Sequence, residues 1–350
     1  MRPRRSVNSA WILSVMLASW LAFGPAAGAE SDPLPAVKQW ESRMVSVGRT
    51  VCDLLGRPES TDQLLAQVYY DGTRVFFQMA DYTNDASWVA CAQRAEAVYR
   101  DRYVLPTQGA VPGHWNFTRG LAMDYLRSGD PASRRAVMLL AENAAFARDG
   151  TPPAWTMPAE DSREVAYAIL SYLDAESVGA PRRARLAMLV EQALGHLDQW
   201  FGARTAPVIT PFMAGLTAEA LIKYYEQTRD PRIPPAIKLA LNWLWAHAWI
   251  SEKEAFWYDS RDTSAASPDL NLLIAPAYAW LYHQTGDSLY RDTGDRIFAG
   301  GVKYAWLGDG KHFNQNYRWS FDYVKWRRTT GSMQLHTRAA AVIGDGRDSD

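Results

Sequence analysis

Tyr125-Leu-Arg-Ser-Gly129-Asp130-Pro131 recurs along the chain. It returns as Tyr172-Leu-Asp-Ala-Glu-Ser-Val-Gly179-Ala-Pro181, Tyr225-Glu-Gln-Thr-Arg229-Asp230-Pro231 and Tyr282-His-Gln-Thr-Gly286-Asp287, with a last echo at Thr329-Thr330-Gly331. Measured at positions 129, 179, 229, 286 and 331, the spacings are 50, 50, 57 and 45 residues. Glycine takes the left-handed conformation after a last helical turn, and Asp followed by Pro supplies an N-cap and a first helical position. Each copy therefore reads as a tight corner between two helices, with Arg229 in place of glycine at one of them.

Working outward from the corners, the pattern predicts pairs of helices. The first members are expected at about 114–128, 160–176, 208–228, 268–285 and 314–328, and their partners at about 131–148, 182–200, 232–249 and 288–305, with 86–103 preceding the set. In 182–200 the residues Leu186, Leu189, Val190, Ala193, Leu197 and Trp200 form one apolar stripe at helical spacing, so that helix keeps a wet face. Val165 to Leu173 and Leu270 to Tyr282 are apolar on most sides, as expected of helices surrounded by others. Two stretches fit helices poorly. Gln67 to Gln78 carries Asp71-Gly72 between β-prone runs and reads as a hairpin or an irregular link, and Phe256-Trp257-Tyr258 reads as a short extended piece.

A repeat of helical hairpins is expected to stack around a shared core, because one hairpin cannot bury its apolar face alone. The hairpin period, the Thr285-Gly286-Asp287 type of corner and the aromatic loops resemble the six-hairpin glycosidases and the toroidal polysaccharide lyases over most of residues 35–330. The resemblance is architectural and carries no motif of one family. It implies an all-α fold, an (α/α) toroid of about five to six hairpins, occupying 30–335 as one domain, followed by a frayed tail at 336–350. A tetratricopeptide-type solenoid is the structural alternative, but its repeats are shorter than these.

Composition narrows the setting. Residues 1–29 read as a secretory signal: Arg2, Arg4 and Arg5 precede the apolar stretch Trp11 to Phe23, and Ala27-Gly28-Ala29 supplies the cleavage site. Cleavage is expected before Glu30, an uncleaved anchor being the alternative, and the mature chain is expected in the periplasm or outside the cell. Removing three Arg takes the formal charge from 37 minus 38 to 34 minus 38, or −4, which offers nucleic acid no attraction. No stable membrane insertion is expected after cleavage. Cys52 and Cys91 are the only cysteines, and an oxidising compartment favours their pairing across two neighbouring helices.

With the corners on one rim, the loops entering the first-member helices gather on the other. Those loops hold His114, Trp115, Trp155, Arg163, Trp257 and Tyr258, and then the run His312, Asn314, Asn316, Tyr317, Arg318 and Trp319. Flat aromatic faces beside amides, carboxylates and guanidinium groups suit a saccharide, which stacks its C–H faces and hydrogen-bonds its hydroxyls. An oligo- or polysaccharide is the expected partner, with Trp115, Trp155, Trp257 and Trp319 as platforms; the plain alternative is that these rings plug the end of the fold. The rim carboxylates Asp161, Glu164, Asp259, Asp262 and Asp269 are the candidate acid and base of a glycoside hydrolase, which needs two carboxyl groups flanking one bond. Asp161, Glu164 and Asp269 equally fit roles at helix starts. A lyase drawing on His312 to Arg318 is the second chemistry, and a non-catalytic glycan-binding or scaffold protein the third. No cofactor or metal is called for by any spacing of Cys, His or Asp.

Overall fold

The computed structural model describes residues 33–344, with side chains as far as Arg328. The expected signal 1–29 and residues 345–350 of the tail lie outside them. Thirteen α-helices occur among the described residues, with one two-residue β-hairpin. They are α1 Val37–Leu55, α2 Thr61–Val68, α3 Gly72–Thr83, α4 Ser87–Glu96, α5 Arg119–Ser128, α6 Pro131–Asn143, α7 Ser162–Ser177, α8 Arg185–Leu197, α9 Pro211–Thr228, α10 Ile233–His247, α11 Asn271–Thr285, α12 Ser288–Tyr304 and α13 Gly310–Gly344. Wider, π-helical turns extend α4 through Ala97–Val104 and α8 through Asp198–Gly202. Strands β1 Trp249–Ile250 and β2 Ala255–Phe256 pair antiparallel between α10 and α11. Among the described residues no helix is long and apolar enough to cross a membrane.

The repeated phrase forms the corners expected of it. Gly129, Gly286 and Arg229 lie in the left-handed region at φ 75°, 70° and 58°. Each donates its N–H to the carbonyl of the tyrosine that opens the phrase: Tyr125 at 2.8 Å, Tyr282 at 2.7 Å and Tyr225 at 2.9 Å. The following aspartates cap the next helix, Asp130 accepting from Ala132 N at 2.8 Å and Asp287 from Leu289 N at 2.9 Å. The last echo behaves differently, because α13 runs through Gly331 to Gly344. No Asp or Pro follows Gly331 to start a new helix there.

Two expectations change. The stretch around Asp71-Gly72 is not a hairpin: it ends α2 and begins α3, and the Asp71 carboxylate caps α3 by accepting from Arg74 N at 3.1 Å. Val75, Phe76, Phe77 and Met79 are buried together on that helix, so helical packing overrides their strand propensity. The extended piece at 256–258 is present as β2 and a bridge from Trp257 to Ala266.

Helices α7 and α11 are buried on nearly every side, whereas α8 buries Leu186, Leu189, Val190, Ala193 and Leu197 and leaves its charged side wet. Each leucine or valine among them contributes roughly 1.5–3 kcal/mol on full burial. The contacts follow an order. Helix α3 packs on α5, α5 on α7, α7 on α9, α9 on α11, α11 on α13, and α13 again on α3. Helices α4, α6, α8, α10 and α12 pack on the helix that precedes each in the chain, and α1 packs on α12, α13 and α4.

Cys52 on α1 and Cys91 on α4 are joined in a disulfide spanning 39 residues. Closing a loop of that length restricts the unfolded chain by roughly 3–4 kcal/mol. Replacing both cysteines with alanine is therefore expected to lower the urea-unfolding free energy by about that amount. An unchanged midpoint in the double variant would show that the crosslink contributes nothing.

Candidate functional site

The segments that enter α3, α5, α7, α9, α11 and α13 line one cavity of about 670 Å³. Tyr69 and Tyr70 come from the link before α3, His114 and Trp115 from the turn before α5, and Arg163 and Phe212 from the first turns of α7 and α9. Tyr258 and Asp269 precede α11, and Asp309, Lys311, His312 and Gln315 surround the start of α13. This juxtaposition of distant loops is the one expected from the corner phrase.

Aromatic rings form one side of the cavity. Tyr69 packs edge-on against Trp115 at 4.6 Å between ring centres, and Phe212 lies 5.7 Å from Tyr258. The Tyr69 link is pinned from α13, whose Asn314 donates to the carbonyls of Gln67 and Tyr69, both at 2.9 Å. Burial, reinforced by Tyr70, pushes the Tyr69 phenol above its ordinary range.

Charged groups form the other side. Asp309 Oδ1 accepts from His312 N and lies against His312 Nδ1, both at 2.8 Å, so the carboxylate caps α13 and fixes the imidazole together. The Trp306 ring stands edge-on to His312 at 4.5 Å. Arg163 pairs with Glu164 at 2.7 Å, and Lys311 lies over the Tyr69 ring at 5.8 Å. Burial, and then Arg163, hold His114 below the usual imidazole value, with Glu164 opposing. Asp269 accepts from Trp306 N at 2.6 Å, and its carbonyl accepts from Gln315 at 2.7 Å.

Not every expected residue reaches this cavity. Trp257 is a core residue, 3 % exposed, with its indole N–H donated to the His247 carbonyl at 3.2 Å, so no ring face is left for a ligand. Trp319 is likewise buried and donates to Glu219 at 2.6 Å, and the Tyr317 hydroxyl donates to the Trp40 carbonyl at 2.9 Å. Asn316 is buried and donates to the His312 carbonyl at 2.8 Å. Trp155 is 56 % exposed on the surface, away from the cavity lining. Among the carboxylates, Asp259 is held by Arg261 and Asp262 by Ser264, each closing a local turn. Glu164 is buried behind Arg163. Asp161 precedes α7 without capping it; burial and then Glu164 raise its carboxyl above the usual range. Asp269 is thus the one proposed carboxylate that lines the cavity, and Asp309 joins it.

A second cluster lies deeper, and of its ion-paired residues the sequence singles out Arg318 alone. Arg74 on α3 bonds Glu219 on α9 at 2.7 Å and Asp322 on α13 at 3.0 Å, and Arg318 approaches Glu219 at 3.5 Å. Burial raises Glu219, but Arg318, Arg74 and the Trp319 N–H outweigh it and hold the carboxyl below its usual range. At Asp71 burial wins, and the carboxyl is raised despite Arg318, Arg74 and two backbone N–H groups. One of those is Gly120 N at 3.0 Å, and a Cβ at Gly120 would stand 2.4 Å from Asp71 Oδ1, so only glycine permits the approach. Tyr70 and Asp71 are consecutive non-glycine residues at φ 66° and 63°. Each such residue costs roughly 1–3 kcal/mol, a strain that collects at functional sites.

Carboxylate oxygens of Glu96, Asp124 and Asp130 come within 4.8 Å of one another. Arg100 lies among them, bonded to Asp130 at 2.7 Å, and supplies the countercharge a cation would bring.

Tyr258, 47 % exposed, and Trp257 make opposite predictions. Tyr258→Ala is expected to weaken the binding of a ligand stacked on its ring by about 2- to 10-fold with little change in stability. Trp257→Ala is expected to cost about 3–5 kcal/mol of stability. Urea unfolding and ligand titration on the two variants check the contrast, and equal effects would contradict it. No protein-family model, curated protein or solved structure matches the chain.

Proposed function

We propose that the chain is an α/α toroid of six helical hairpins that acts on an acidic saccharide in the cavity at the loop rim. The toroid reading is supported by the packing order, in which α13 returns to α3, and by the burial of α7 and α11 on nearly every side. Export to the periplasm or cell exterior belongs to the same proposal, supported by the reading of residues 1–29 and by the disulfide.

One observation carries the chemistry: His312, fixed at Nδ1 by Asp309, shares its cavity with Arg163, Lys311 and a wall of aromatic rings. A carboxylate at Nδ1 fixes the tautomer and leaves Nε2 as the nitrogen for a ligand. A uronate has an acidic proton next to its carboxylate, and Arg163 and Lys311 can neutralise that carboxylate as charge builds on it. His312 then takes the proton, the C–H electron pair becomes a carbon–carbon double bond, and the neighbouring glycosidic C–O bond breaks. The departing oxygen takes up a proton from an acid in the cavity, for which the neutral Tyr69 phenol is the candidate.

Hydrolysis is the second reading. Asp269 and Asp309 both line the cavity, and two carboxyl groups are what hydrolysis requires. Polygalacturonate, alginate and hyaluronan, each incubated with the protein, separate the two. Elimination yields an unsaturated, ultraviolet-absorbing sugar, hydrolysis yields reducing ends without that absorbance, and the absence of both from all three substrates overturns the elimination proposal.

A further inference from the structure

A second cavity, of about 510 Å³, lies along the C-terminal halves of α7 and α9 and beside α3, α5 and α13. It shares no lining residue with the cavity at the loop rim. The mechanism proposed above does not use it.

Its charges are balanced. Five cationic and five anionic side chains line it. They pair closely: Arg74 with Glu219 at 2.7 Å and Asp322 at 3.0 Å, Arg119 with Asp174 at 3.2 Å, and Lys223 with Glu226 at 3.3 Å. A net charge on a ligand therefore meets as much repulsion as attraction.

Its hydrogen-bonding groups are not all satisfied. Arg318 and Asn116 are each 3 % exposed, and both line the cavity. Arg318 Nε and Nη1 and both amide atoms of Asn116 have no hydrogen-bond partner. A buried polar group left so costs about 1–3 kcal/mol, and a ligand that both donates and accepts would recover it once these enclosed atoms turn toward the cavity. Met123, Leu170 and Leu173 add an apolar face.

We infer that this second cavity is a binding site for a neutral, hydroxyl-rich ligand of the sugar class. Hydroxyl groups donate to carboxylates and accept from guanidinium groups at once, and the C–H faces of a sugar ring suit the apolar residues. The volume lies within the range of small-molecule sites, about 300–1,000 Å³. The site stands apart from the elimination reading, so either can fail alone.

Titration calorimetry with glucose, cellobiose and maltose tests it on the wild-type protein and three variants. Leu170→Trp fills the cavity from its apolar face, and Ser177→Trp obstructs it from an exposed position whose one side-chain bond is local, to the Asp174 carbonyl. Tyr258→Ala combined with Lys311→Met alters only the rim cavity. At least one of the three sugars is expected to bind wild type, to bind about tenfold or more weakly to a folded Leu170→Trp and to Ser177→Trp, and to bind the rim double variant unchanged. Binding lost only in the rim variant, no binding of any of the three sugars, or sulfate competing for the site would overturn the inference. So would a sugar-soaked crystal with water alone beside Arg318 and Asn116.

Discussion

Glu219→Ala is expected to lower the stability of the protein by about 3–5 kcal/mol, the cost of removing one partner from a buried ion pair. Arg74 and Glu219 are each 6 % exposed at the side chain, and Arg318 is 3 % exposed. Deleting the carboxylate removes the ion-pair partner of Arg318 and leaves Arg74 paired with Asp322, with Asp71 the remaining carboxyl that acts on both. It also frees the Trp319 indole N–H inside the core. Glu219→Gln keeps the shape and an acceptor for Trp319, so its loss is expected to be smaller. The effect depends on pH in a definite direction. Because Glu219 is held below its usual range, its contribution is complete above the unfolded-state value of about 4.3 and fades as pH falls through the folded value. Asp71 acts oppositely: its raised carboxyl keeps a proton longer in the folded chain, so it favours folding at low pH and loses that effect as pH rises. Urea unfolding of wild type and Glu219→Ala near pH 7 and near pH 3 checks both points. A difference below about 1 kcal/mol at neutral pH would show that this network is not a structural keystone.

How much of this was legible in the sequence depends on what each residue had to meet. The corners were readable because their chemistry is local: Gly129 and Asp130 act on atoms within four residues. The corners also led to the expectation that distant loops meet, and His114, Trp115, Arg163, Tyr258, Asp269 and His312 line one cavity. Reading through α13 at single-residue precision failed for a helical reason. Successive positions turn by about 100° and rise about 1.5 Å, so Tyr317 turns well away from His312, while Asn316 and Trp319, four and seven residues on, share its face but lie roughly 6 and 10 Å further along the helix, among packed neighbours. Loop carboxylates misled for a different reason, since Asp259 and Asp262 are spent on their own turns.

The deep cluster was missed although it left a trace. Glu219 is a lone charge in the run Ala214 to Ile222, and Arg74 adjoins Val75, Phe76 and Phe77. A charge on an otherwise buried face needs a partner, and partners 145 and 248 residues apart could not be named before the helices were packed. Asp71 was hidden by its own Asp-Gly signal. That pair serves a hairpin or a helix start equally, and here the carboxylate reaches Arg74 N and settles the matter.

Asp309→Asn is expected to cut kcat on an acidic polysaccharide by about 10²–10⁴-fold while costing only about 1 kcal/mol of stability. The carboxylate has two tasks, accepting from His312 N as an N-cap and from the imidazole at Nδ1. Asparagine is among the best N-cap residues and preserves the first task. In the proposed elimination it removes the charge that would steady the imidazolium formed when His312 takes a proton, and its amide can present a donor to Nδ1 and invert the tautomer. Lys311→Met, by contrast, weakens the attraction for a uronate and is expected to act on KM together with kcat. Asp269→Asn separates the two chemistries: under elimination it leaves the ultraviolet product forming within a few-fold of wild type, and under hydrolysis it abolishes reducing-end release. An Asp309→Asn protein that keeps kcat within about threefold would remove the imidazole–carboxylate pair from the reaction, and with it the observation on which elimination rests.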